Sequence, residues 1–128
     1  MHYLLSQFAR TSFDDTFTKL GVVLKKEGFG LLTELNLSET IRKELNAEID
    51  NHKILNIFNS AIANKGLIVD SDISLMFPFS MAVRELKSVM IRICVLNCSI
   101  AMRMFNQYDV NTAASIIANK LKRILSRI

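Results

Sequence analysis

Residues 27–34, Glu27-Gly28-Phe29-Gly30-Leu31-Leu32-Thr33-Glu34, decide how the chain is laid out. They read as the end of a helix, a glycine turn and the start of a strand. Upstream, Ser12 with Asp15 three residues on fits a capping box, in which each side chain satisfies a backbone donor that the helix start leaves open. Phe13, Phe17, Leu20 and Leu24 recur at helical spacing and make one buried stripe. Asp14 and Asp15 suit the positive end of this helix, and Lys25 and Lys26 the negative end. Gly28 is placed to take the left-handed geometry that stops a helix. Gly21, inside the helix, costs about 1 kcal/mol against alanine; a close approach to a sheet would account for it. Downstream, Gly30 to Leu37 is expected as a strand. Leu31, Thr33, Leu35 and Leu37 would share one face, and Leu32, Glu34 and Asn36 the other.

The remaining elements follow from the same signals. Tyr3 to Phe8 is expected as a first strand. Ser38 is expected to cap a short helix to about Leu45, and Lys53 to Phe58 to form a third strand. Asn59 and Ser60 can cap a helix reaching Val69. From Ile73 to Arg84 apolar residues alternate, and Pro78 marks an edge, a bulge or a break, because proline cannot donate to a ladder. Glu85 to Ser88 is expected as a turn. Val89, Ile91, Ile93 and Val95 make the inner face of a fifth strand. Residues 97–108 give the weakest signal and could form a short helix leading into the next element. Asp109 is expected to cap a final helix with the stripe Val110, Ala113, Ala114, Ile117, Leu121, Ile124 and Ile128. Lys120, Lys122, Arg123 and Arg127 crowd its polar side. The pattern predicts a single α+β domain of two layers, a largely antiparallel sheet packed against helices, with a long helix at the C-terminus.

At 128 residues the chain fits one domain, yet half of its residues are hydrophobic and its mean hydropathy is +0.25. A domain of this size has limited interior, so some apolar surface is expected to end outside it. A homodimer interface accounts for that, and a cavity for a small apolar ligand is the sharper alternative. Arg92 and Arg103 interrupt the longest apolar stretch, so no membrane span is expected. The N-terminus shows no export pattern. With only two cysteines, this suggests the reducing cytoplasm. A net charge of +4 is mild. Without aromatic interleaving it argues against nucleic-acid binding, and the cluster from Lys120 to Arg127 reads as a solvated helix face.

Catalytic and metal chemistry find little to stand on. Cys94 and Cys98 are not spaced as Cys-x-x-Cys and have no histidine beside them, so they read as structural. His2 and His52 are too few and too far apart for a metal pattern. Gly28-Phe29-Gly30 lacks the third glycine of a phosphate-binding loop and does not follow a strand. No cofactor is implied. Glu34, beside Thr33, could converge with Lys53 and Asn59 on a small polar ligand. They could equally be a cross-strand ion pair and a helix cap, worth about 0.2–1 kcal/mol.

The run at 27–34 resembles the signature of a bacterial and archaeal family, domain-of-unknown-function family 302. Phe13-Asp14 and His52-Lys53-Ile54-Leu55 carry the likeness further, from about Tyr3 to Arg84. The resemblance implies a fold similar to the TATA-binding-protein-like, helix-grip group, in which a curved antiparallel sheet grips a long C-terminal helix. The family has no settled activity. Two departures stand out. Where the family has Lys-Ile-Leu-Gly-Ala-Cys-Asn-Pro, this chain has Lys53-Ile54-Leu55-Asn56-Ile57-Phe58-Asn59-Ser60. Where it has Leu-Pro-Cys-Asn, this chain has Phe77-Pro78-Phe79-Ser80. Both family cysteines are phenylalanines here, so no thiol, disulfide or metal role carries over.

The sequence therefore predicts a homodimeric, non-enzymatic binding or interaction module. Its expected pocket, between sheet and terminal helix, would be lined by Phe58, Phe79 and Met81, with Thr33, Glu34, Lys53 and Asn59 as polar anchors. A small enzyme or redox accessory acting on sulfur or carbonyl compounds is the second reading, and a ligand-free structural dimer the third. If Phe58 and Phe79 face each other, they fill one shared space.

Overall fold

The computed structural model describes residues 3–69, 71–72, 78–86, 90–98 and 108–128. Strand β1 (Leu4–Ala9) leads into helix α1 (Phe13–Lys26), which is followed by β2 (Gly30–Asn36), α2 (Leu37–Leu45), β3 (His52–Phe58) and α3 (Ser60–Val69). β4 (Phe79–Leu86), β5 (Met90–Leu96) and α4 (Tyr108–Ser126) complete the chain. The five strands form one antiparallel sheet in the order β1-β5-β4-β3-β2. Strands β2 to β5 follow one another as neighbours, and β1 closes the far side. Helix α1 therefore links one edge of the sheet to the other.

The pleat sorts the strand residues onto two faces. Leu55 and Ile57 of β3, Phe79, Met81 and Val83 of β4, and Ile91, Ile93 and Val95 of β5 are all buried on one of them. They join one core with Phe13, Leu20, Val23 and Leu24 of α1, Ala63 of α3 and Ala114, Ile117, Leu121, Ile124 and Leu125 of α4. Among the described residues, no strand residue on the opposite face is buried. The fold is thus the expected α+β arrangement of two layers, with helices on one side of an antiparallel sheet.

Local chemistry fixes the element ends. Ser12 Oγ accepts from the Asp15 amide at 3.1 Å and starts α1. Gly28, at φ +85°, ends it, and the Phe29 amide returns to the Leu24 carbonyl. Gly21 differs from expectation: nothing lies within 4 Å of where its Cβ would stand, so no close approach to the sheet accounts for it. The cap of α2 also differs. Asn36 Oδ1 accepts from the Glu39 amide at 3.0 Å, and the helix begins at Leu37. Ser38 turns inward instead, its Oγ accepting from the His52 amide at 3.0 Å. A bulge between Leu31 and Thr33 breaks the expected alternation of β2. Thr33 pairs with Asn56 on the open face and Glu34 with Leu55 on the helix side.

β4 begins at Phe79, directly after Pro78, so the proline stands at the entrance of a central strand, where no ladder donor is needed. The expected strand over Ile73 to Phe77 lies outside the described residues. Glu85 and Leu86, expected in a turn, extend β4 by pairing with Ile91 and Met90. Helix α4 starts at Tyr108, one residue ahead of the expected Asp109 cap.

Candidate functional site

The expected anchors do not converge. Glu34 Oε1 lies 2.8 Å from Lys53 Nζ, and that ammonium also stands 4.7 Å from the centre of the Phe17 ring. This ion pair, with its aromatic floor, sits on the helix side of the sheet. Thr33 is on the other side, where its Oγ1 accepts from Asn56 Nδ2 at 2.7 Å. Asn56 Oδ1 in turn accepts from Ser80 Oγ at 3.0 Å. Asn59 is buried. Its Oδ1 caps α3 by accepting from the Ile62 amide at 3.2 Å, and its Nδ2 donates to the Glu27 carbonyl at 3.3 Å.

The two phenylalanines at the cysteine positions also separate. Ile57 pairs with Phe79, so Phe79 shares the buried face of Ile57 while Phe58, one residue on, takes the opposite face. Phe79 is in the core; Phe58 is half-buried and packs against its margin. The rings therefore do not face each other across a shared space. Met81 is fully buried among core residues.

Glu27, the first residue of the opening stretch, is where the basic cluster of α4 ends up. Arg123 donates to both carboxylate oxygens, at 3.1 and 3.0 Å. Arg127 donates at 3.4 Å, and Lys120 Nζ lies 3.6 Å from Oε1 while donating to the Glu27 carbonyl. The hydrogen bond from Arg123 holds the Glu27 carboxyl below its usual range; burial acts the other way, and the charges of Arg123, Lys120 and Arg127 add to the lowering. Three of the four basic residues expected on a solvated face are thus gathered on one acid. Only their i, i+3, i+7 spacing could have hinted at it.

Two exposed surfaces stand out among the described residues. One is the free edge of β2, where Leu31, Leu32 and Leu35 are about half exposed. The other is the open face of the sheet. There Phe8, Arg92, Arg84 and His52 stand in one row across β1, β5, β4 and β3, as the register pairs Phe8 with Arg92, Arg92 with Arg84, and Arg84 with His52. Sequence reasoning misses this row, because it exists only once the strands are paired. Burial first, then the positive charge of Arg84, lowers the His52 pKa.

Cys98 is buried, and its Sγ donates to the Ala114 carbonyl at 3.7 Å. Burial pushes its thiol up to about 11. Cys94 is half-buried on the open face. Among the described residues no helix is long and apolar enough to cross a membrane.

A two-layer α+β fold, with one sheet face left uncovered by the described residues, is the class of protein these features define. The profile of the family described as Domain of unknown function DUF302 matches residues 6–128, and the chain belongs to that family. Its fold is similar to that in the crystal structure of an uncharacterized conserved DUF302 protein from Bacillus stearothermophilus. The TM-score is 0.92 at 20% sequence identity, over 99% of this chain and 98% of that one. No match emerges among curated proteins.

Proposed function

We propose that the chain is a non-enzymatic binding and interaction module that acts as a homodimer, joined through the free edge of β2. One observation carries this reading: among the described residues β2 has no neighbour on its outer side, and it displays Leu31, Leu32 and Leu35 at 52, 54 and 48% exposure. An edge strand with unpaired backbone groups and apolar side chains is a template for another strand. A second copy offers the same edge, so the contact closes on itself as a two-fold dimer. Face-to-face packing of two sheets is disfavoured, because it would bury the Arg84–Arg92 row without counter-charge.

A small apolar ligand between sheet and terminal helix, beside Phe58, Phe79 and Met81, is the narrower form of the reading. It requires the core to open, since Phe79 and Met81 are buried. The redox alternative has less support, because the buried Cys98 thiol stays protonated near neutral pH. Two free thiols agree with residence in the reducing cytoplasm.

Native mass spectrometry of the purified protein tests the reading. A dimer is expected for the wild type, and a folded monomer for the double variant Leu32→Lys, Leu35→Lys, whose changes lie on exposed positions. A discrete additional mass on the dimer would give the size of a bound ligand. A wild-type monomer at micromolar concentration, or a double variant that still dimerises, overturns it.

A further inference from the structure

The open face of the sheet holds a basic hollow that the homodimer does not use. Arg84 and Arg92 are directly opposed on β4 and β5, and His52 is directly opposed to Arg84 on β3. Like charges at such positions destabilise a sheet. Among the described residues, neither guanidinium has a carboxylate within ion-pair distance; every such acid partner falls to Glu27 or Glu34, elsewhere in the molecule. Ala82 and Cys94, the pair two steps along the same two strands, are small. Their short side chains leave a hollow of about 70 Å³ lined by His52, Ala82, Arg84, Arg92 and Cys94. With a share of about 30 Å³ per liquid water, this is room for a small tetrahedral anion. His52 and Arg84 also line a broader cleft of about 450 Å³ with Ile49, Asp50 and Leu86.

We propose that this hollow is a binding site for the phosphate group of a small phosphate monoester, whose organic moiety lies in the adjoining cleft. Two guanidinium groups present paired donors suited to phosphate oxygens, and the His52 imidazole adds one N–H donor when neutral and two when protonated. Ile49 and Leu86 offer the organic moiety apolar contact in the cleft, and Asp50 offers it an acceptor. Without an anion the row is self-repelling; with one, the same charges become attractive. Burial first, and the positive charge of Arg84 second, lowers the His52 pKa. Among the described residues, the charged groups that line the hollow and cleft with that imidazole are Arg84 and Arg92 on the sheet and Asp50 in the loop before β3. Arg42 of α2 is turned away, to the Ile49 carbonyl and Asn51 Oδ1.

The decisive measurement is titration of the wild-type protein with inorganic phosphate and with glycerol phosphate at constant ionic strength. It is followed by calorimetry and by the NMR signals of His52 and Cys94. Saturable binding of one anion per chain is expected, with a rise in the His52 pKa as the anion offsets the arginines. Arg92→Gln should weaken binding about tenfold or more, yet fold at least as stably as wild type, because it removes the like-charge pair. Lys122→Gln, on the polar side of α4, should bind as wild type does. A tighter ester than free phosphate would place the organic moiety in the cleft; equal affinities would confine recognition to the anion and overturn the cleft's role. Shifts that never saturate, or that survive in Arg92→Gln, would overturn the site itself. The monomeric β2 variant should bind the anion equally well, so failure of the dimer leaves this test intact.

Discussion

Two glycines of α1 and its turn carry opposite consequences. Gly28 holds a left-handed φ of +85°, and a Cβ there would lie 3.2 Å from Asn59 Nδ2. Gly28→Ala should lower stability by about 1–2 kcal/mol. Gly21 is helical with open space at its Cβ, so Gly21→Ala should raise stability by about 0.5–1 kcal/mol. Urea midpoints of the two variants check both signs, and equal shifts in one direction would refute the assignment. The cysteines separate in the same way. Cys98 is buried with its thiol at about 11, whereas Cys94 is half-buried. A neutral alkylating reagent should modify Cys94 in the native protein and reach Cys98 only on unfolding, as peptide mapping would show. Rapid native labelling of Cys98 would reopen the redox reading.

The helix elements are held by groups that local sequence rules see unevenly. Ser12 as a cap was legible, since it needs only its own next turn. Asn36 as the cap of α2 was not, because Ser38 has equal intrinsic preference and loses the role only when the His52 amide takes its hydroxyl. The attachment of α4 to the turn after α1 depends on Glu27. Its carboxyl is lowered in the folded protein, so its contribution is complete above the ordinary value of 4.5 and lost as the pH falls through and below it. Glu27→Gln should therefore lower Tm by several degrees at pH 7, and the gap to wild type should close on acidification toward pH 3. Thermal unfolding followed across that range checks the sign; a gap that is constant with pH would show that the carboxylate's charge does not matter.

At the scale of the molecule, the sequence determined what depends on near neighbours and on period. The helix stripe through Ile117, Leu121 and Ile124, the alternation through Phe79, Met81 and Val83, and the stop at Gly28 are each set within a few residues. Those stripes must be buried together to leave water, so the two-layer α+β class followed. Tertiary structure alone decided which residues meet. The bulge after Leu31 took Thr33 off the face of Leu31 and put Glu34 on it. The register of β3 on β4 put Phe79 in the core and left Phe58 on the other face. Folding brought Glu27 under Lys120, Arg123 and Arg127, 93 to 100 residues away. Pairing of β3, β4 and β5 set His52, Arg84 and Arg92 in one row. A one-residue shift in register moves every side chain of a strand to the other face. Pairing is a property of two distant segments at once, and neither segment records it alone.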